Sequence, residues 1–135
     1  MREDLVQKLQ DKYENITFPK IECKDGWYGL LDSGFRSINT SLAMCLTCKI
    51  SVSSIQSKYG ALRVFYSLSK ESPGREEEQD ECEGYVLDTM TSMEEASQYI
   101  CETCGTTFNI LTPDGYALET ICKPCHEGSH KGRLH

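Results

Sequence analysis

The chain has 135 residues and a mass of 15.3 kDa with 39% hydrophobic residues, which makes one domain with a modest core and excludes a large multidomain enzyme. Its net charge is -7, and the excess is local: residues 71–83 hold seven acids and one Arg and leave -1 for the rest. No window offers the roughly 18 apolar residues of a membrane span, and the opening Met-Arg-Glu-Asp lacks the apolar core of a signal peptide, so a cytoplasmic protein with no membrane partner is expected.

In chain order, Leu5, Leu9 and Tyr13 recur every four residues with Val6 beside them, which predicts a short amphipathic helix that ends before Pro19. Trp27, Leu31, Phe35, Ile38 and Leu42 predict a second helix, with Asp25-Gly26 as its capped start and Gly34 marking a kink or a close packing contact. The period then shortens. Ile50 and Val52 alternate with Ser, and Leu62, Val64, Tyr66 and Leu68 alternate with Arg63, Phe65 and Ser67. These are two antiparallel strands reversed at Lys58-Tyr59-Gly60 and backed by the Trp27 helix. Pro73-Gly74 and the acids from Glu71 to Glu83 read as a solvated loop. Val86, Leu87, Met90, Met93, Ala96, Tyr99 and Ile100 then form a helical stripe that packs on the core.

Cys101-Glu-Thr-Cys104 and Cys122-Lys-Pro-Cys125 are separated by 17 residues, inside the spacing window of a four-cysteine zinc site. Two residues between thiolates let one backbone knuckle present both sulfurs to a single tetrahedral ion. Gly105 suits the bend after Cys104, and the stretch between the pairs turns at Pro113-Asp114-Gly115, so two knuckles joined by a hairpin are predicted, a zinc ribbon or treble clef. Four thiolates fill the tetrahedron, so one structural zinc is expected, with rubredoxin-like iron as the rival. Structural zinc contributes about 10 to 16 kcal/mol in small peptides, so its loss is expected to melt at least residues 101–126.

Cys45-Leu-Thr-Cys48, with Cys23 and Cys82, could form a second thiolate site, but those spacings match no compact pattern and buried thiols are the favoured reading. A redox dithiol at Cys45 and Cys48 is disfavoured because no βαβ context is visible. Cys125-His126 followed by Lys131 is similar to the closing half of zinc-stapled HNH nucleases, yet residues 105–121 contain no His to activate water. His126 and His130 are therefore read as tail residues, and no catalytic residue is expected.

The chain accordingly divides into an α+β body over residues 1–70, an acidic loop over 71–83, a helix with the zinc-ribbon module over 84–126, and a flexible tail over 127–135. The fold class is α+β, a small antiparallel sheet packed on helices.

Three motifs together, Cys23-Lys-Asp25-Gly26-Trp27 with Leu30-Leu31, Gln56-Ser-Lys58-Tyr59-Gly60-Ala-Leu62-Arg63-Val-Phe-Tyr66, and Ile100-Cys101-Glu-Thr-Cys104-Gly105 followed by Cys122-Lys-Pro-Cys125, resemble a family of small uncharacterised bacterial and phage proteins. The resemblance runs from about residue 20 to 126 and implies an α+β body ending in a zinc knuckle pair, often phage-encoded, with no activity to carry over. The chain departs from the pattern at Ser54 and Gln56, where the family has Gln and Lys, in the extra pair Cys45 and Cys48, and in the long acidic insert. The expected function is a non-catalytic accessory protein that binds and modulates a host or phage protein in the host cytoplasm. The alternative is a nucleic-acid-binding zinc module using Lys123, Lys131 and Arg133, with Lys58 and Arg63 on a solvated strand face. Strongly salt-sensitive binding asks for more clustered cations than these.

Overall fold

The computed structural model describes residues 1–44, 48–70, 76–111 and 120–126. Helix α1 spans Glu3–Lys12 and buries Leu5 and Leu9, with Tyr13 buried just beyond it. Glu3 and Asp4 in its first turn and Lys12 in its last complement the helix dipole. Two short strands follow, β1 (Ile16–Thr17) and β2 (Ile21–Glu22). A 3-10 turn over Asp25–Trp27 leads into α2 (Tyr28–Met44). The N-cap of this turn is Lys24, without a side-chain cap; Asp25 Oδ1 accepts the Arg2 amide at 2.9 Å, which ties residue 2 to the turn.

Strands β3 (Cys48–Lys58) and β4 (Ala61–Lys70) pair antiparallel from Cys48↔Lys70 to Lys58↔Ala61, as their alternation predicts. Tyr59 and Gly60 reverse the chain with φ of 54° and 78°, the left-handed pair a two-residue hairpin needs. A bulge between Val52 and Ser54 shifts the register by one residue. That extra residue moves the inward position from Ile50 and Val52 to Ile55, so all three are buried.

The short strands lie parallel to β3 along its other edge, with Ile16 opposite Ile50 and Ile21 opposite Ile55. The spacing is the same on both strands, so residues 16–22 keep one register across Pro19, which cannot donate to the ladder. The sheet is therefore mixed rather than purely antiparallel. The unit β2–α2–β3 is also a parallel crossover, the βαβ context that the sequence did not reveal. Cys45 lies outside the described residues. Cys48 opens β3 just after α2, and its side chain lies outside what the structure describes.

Helix α3 spans Glu76–Ser97, which corrects the acidic loop: at least from Glu76 onward, the run forms the first turns of a helix. Glu is a good helix former, and acids in the first turn face the positive end of the dipole. The buried stripe is Cys82, Val86, Met90, Met93 and Ser97, one turn longer at the N-terminus than predicted, whereas Leu87 and Tyr99 are exposed. The first four join one core with Trp27, Leu31, Phe35, Ile38, Ile50, Ile55 and Leu62, so the body extends through α3 and the metal module starts at its end, not at residue 84. The folded body is consequently far from neutral, because α3 carries nine acids and no base. At Gly34 the expected close contact is present: a Cβ there would overlap the Met93 side chain.

Helices thus cover one face of the sheet, while Ser51, Ser53, Arg63, Phe65 and Ser67 on the other are exposed. Among the described residues no helix is long and apolar enough to cross a membrane. Residues 71–75 and the tail from 127 lie outside the described residues, as do His130, Lys131 and Arg133.

Candidate metal centre

After α3 the chain turns through residues 101–104, and Gly105 bends it back with φ of 82°. The Gly105 amide donates to the Cys101 carbonyl and the Cys101 amide to the Thr106 carbonyl, both at 2.9 Å, which closes the first knuckle. Strands β5 (Ile110–Leu111) and β6 (Ile121–Cys122) pair antiparallel, with Ile110 opposite Cys122. These are the ends of the expected hairpin; its tip at Pro113-Asp114-Gly115 lies outside the described residues. The Lys123 amide donates to the Asn109 carbonyl at 2.8 Å, and a helical turn over residues 123–126 presents Cys125.

Cys101, Cys104, Cys122 and Cys125 place their sulfurs within 4.8 Å of one another. Cys104 Sγ and Cys122 Sγ are 3.7 Å apart, and a tetrahedron with metal–sulfur bonds of about 2.3 Å has edges of about 3.8 Å. The four residues are therefore positioned to hold one metal ion. The Cys104 amide donates to Cys101 Sγ at 3.5 Å, the bond a metal-bound sulfur accepts in a knuckle. Cys101 and Cys122 are buried with Ile121, Cys125 is half-buried and Cys104 is exposed. Burial pushes the Cys101 thiol up, but backbone amides of Cys122, Cys104 and Thr103 outweigh it and bring the group down to about 6. Cys125 is pushed upward by burial and by its three sulfur neighbours.

Among the described residues this is the one group of cysteines that gathers. Cys23 is buried near the start of the Trp27 turn, and its thiol is raised to about 12, first by burial and then by the charge of Glu102. Cys82 is buried on α3, with Ser41 Oγ 3.9 Å from its sulfur. His126 is exposed on the last described turn.

The knuckle is anchored to the body by residues outside the ligand set. Trp27 Nε1 donates to the Ile100 carbonyl at 2.9 Å, and the Gly26 amide donates to the Glu102 carbonyl at 2.8 Å. Glu102, inside the first Cys pair, is only 3% exposed. Its carboxylate accepts the Lys24 amide at 3.2 Å and the Ser57 hydroxyl at 2.7 Å. The Glu102 amide donates to the Thr120 carbonyl at 2.9 Å, and the Thr120 hydroxyl donates to the Gly60 carbonyl. A Cβ at Gly26 would overlap the carbonyls of Cys101 and Glu102, so this glycine is what lets the knuckle approach. The Asp25-Gly26-Trp27 turn, the Lys58-Tyr59-Gly60 turn and the first Cys pair therefore meet at one place. Spacing did not reveal Glu102, Ser57 or Thr120. The available signal was an acid set between two cysteines, where its charge disfavours ionisation of the neighbouring thiols.

No family model, no curated protein and no solved structure matches the chain.

Proposed function

We propose that Cys101, Cys104, Cys122 and Cys125 hold one structural zinc ion, and that the protein is a non-catalytic accessory protein of the phage type that acts by binding a host protein. The closed sulfur set carries the first half of this reading: four thiolates leave no position for a reacting water. Its anchoring supports a staple as well, because Glu102, Trp27 and Gly26 spend their bonds holding the knuckle against the body. Nucleic acid is the weaker partner, since the nine acids of α3 repel phosphate.

Metal analysis of purified protein tests the site. One zinc per chain, replaced by cobalt with a tetrahedral thiolate spectrum, is expected. Iron, an exchangeable water ligand, or a metal-free folded protein overturns it. Crosslinking in the host with mass spectrometry tests the partner, and recovery of no stoichiometric protein across several salt concentrations ends that half of the reading.

A further inference from the structure

The sheet has two outer edges, and the chain covers most of both with its own groups. Along the first, Gln10 Nε2 donates to the Ile16 carbonyl at 2.8 Å and Gln10 Oε1 accepts the Phe18 amide at 3.0 Å. The N-terminal ammonium of Met1 donates to the Ile21 carbonyl at 3.2 Å and also to that of Cys23. Along β4, Ser97 Oγ accepts the Leu62 amide at 2.8 Å and Glu94 Oε1 accepts the Val64 amide at 3.3 Å.

Backbone direction alternates along a strand, so the amides of Tyr66 and Leu68 point to the same side as those of Leu62 and Val64. Among the described residues no strand other than β3 pairs with β4, and the described α3 side chains that bond its amides are Ser97 and Glu94, at Leu62 and Val64. An edge left in this state is a template for an added strand. An apolar contact lies beside it: Leu87 is on the same stripe of α3 as Glu94 and is 56% exposed. The surrounding field is negative, because α3 carries nine acids and no base. That field reaches the edge: the Tyr66 phenol is raised first by burial and then by the charges of Glu83 and Glu94.

We propose that the Tyr66–Lys70 half of β4 is a docking edge for an extended, basic segment of the partner protein, which adds to the sheet through the Tyr66 and Leu68 amides. This rests on the reading of the chain as a partner-binding protein. Charge selects the occupant. A second copy paired through β4 would bring two such helices together and is repelled, whereas lysines or arginines in an incoming strand are attracted.

The test uses the full zinc-loaded chain and a blocked octapeptide of alternating Lys and Val, with the Glu and Val counterpart as control. Amide exchange by NMR is expected to slow roughly tenfold at Tyr66 and Leu68 with the Lys peptide and to stay unchanged with the Glu peptide. Equal protection by both peptides, protection elsewhere only, or a β4-linked dimer of the chain overturns the proposal. Leu68→Pro removes the outward amide without taking a bond from β3 and is expected to abolish this protection. Leu87→Lys, at an exposed position that folding does not need, is expected to weaken the peptide at least several-fold; an unchanged affinity counts against the site. Crosslinking separates the two readings. A host partner retained in full by both variants overturns this edge and leaves partner binding standing. A wild-type chain that protects Tyr66 and Leu68 with the Lys peptide yet captures no host protein fails the broader reading alone.

Discussion

At the scale of single residues, Glu102 joins the two parts of the molecule, and its energetic role follows from burial. A carboxylate that is 3% exposed and accepts two hydrogen bonds cannot be removed without leaving the Lys24 amide and the Ser57 hydroxyl short of an acceptor. Glu102→Ala is expected to cost about 3 kcal/mol in urea unfolding, and Ser57→Ala about 1 kcal/mol. The double variant should cost less than the sum; strict additivity would show that the two groups do not interact. Asp32 offers a pH-dependent counterpart. Burial works against its ionisation, but hydrogen bonds from Tyr13 at 2.6 Å and Lys12 at 3.2 Å, with the charges of Lys12 and Arg36, hold its carboxyl below the usual range. A folded-state value below the unfolded one means that the stabilisation is complete above about pH 4 and disappears as pH falls through the folded value. Asp32→Asn should therefore lower stability at neutral pH and flatten the acid limb of the stability curve, read from denaturant titrations across pH 2 to 7 on the order of one unit apart.

At the scale of elements, the glycines separate packing from propensity. Gly29 and Gly84 lie in α2 and α3, and a Cβ at either meets nothing within 4 Å. Gly29→Ala and Gly84→Ala should each stabilise by about 0.5 to 1 kcal/mol in thermal melts, because the helix gains propensity at no steric cost. Gly26→Ala should instead destabilise by about 3 kcal/mol, since the added carbon collides with backbone that cannot move without lifting the knuckle. Equal effects at the three sites would refute the close approach at Gly26. Apolar periodicity made α1, α2 and the β3–β4 pair legible, because each buries one regular stripe. The same rule misplaced Leu87 and Tyr99, which fit the helical stripe by number yet face solvent. It also missed β1 and β2: a two-residue strand has no period, and its partner lies across α2. The acids of α3 misled for a different reason. Charge density suggests a solvated loop, but glutamate tolerates a helix well when one side of it, here Cys82 and Val86, can be buried.

At the scale of the whole molecule, the described residues form two cores of unequal size, one shared by α2, α3 and the sheet and a small one around Cys101, Ile121 and Cys122. The small one has little apolar area of its own, and under the proposed metal binding the ion would supply the missing stability. Chelation is expected to unfold residues 100–126 while most far-UV helix signal survives, because α1, α2 and α3 belong to the larger core. Trp27 reports the event: it is the single tryptophan, and its indole nitrogen bonds the Ile100 carbonyl, so its emission should shift when the knuckle leaves. Full cooperative collapse of the helix signal on chelation would mean that the two cores are one folding unit. The sequence by itself determined which cysteines gather and the main helices and strands, because a two-residue gap between thiols and a periodic apolar stripe are local properties that a chain carries before it folds. Only the tertiary structure decided that the Asp25-Gly26-Trp27 turn, the Gly60 turn and Glu102 form the seat of the cysteine cluster, and that among the described residues no strand pairs with the outer side of β4. Those facts depend on hydrogen bonds between residues as far apart as Lys24 and Glu102, which no local pattern encodes.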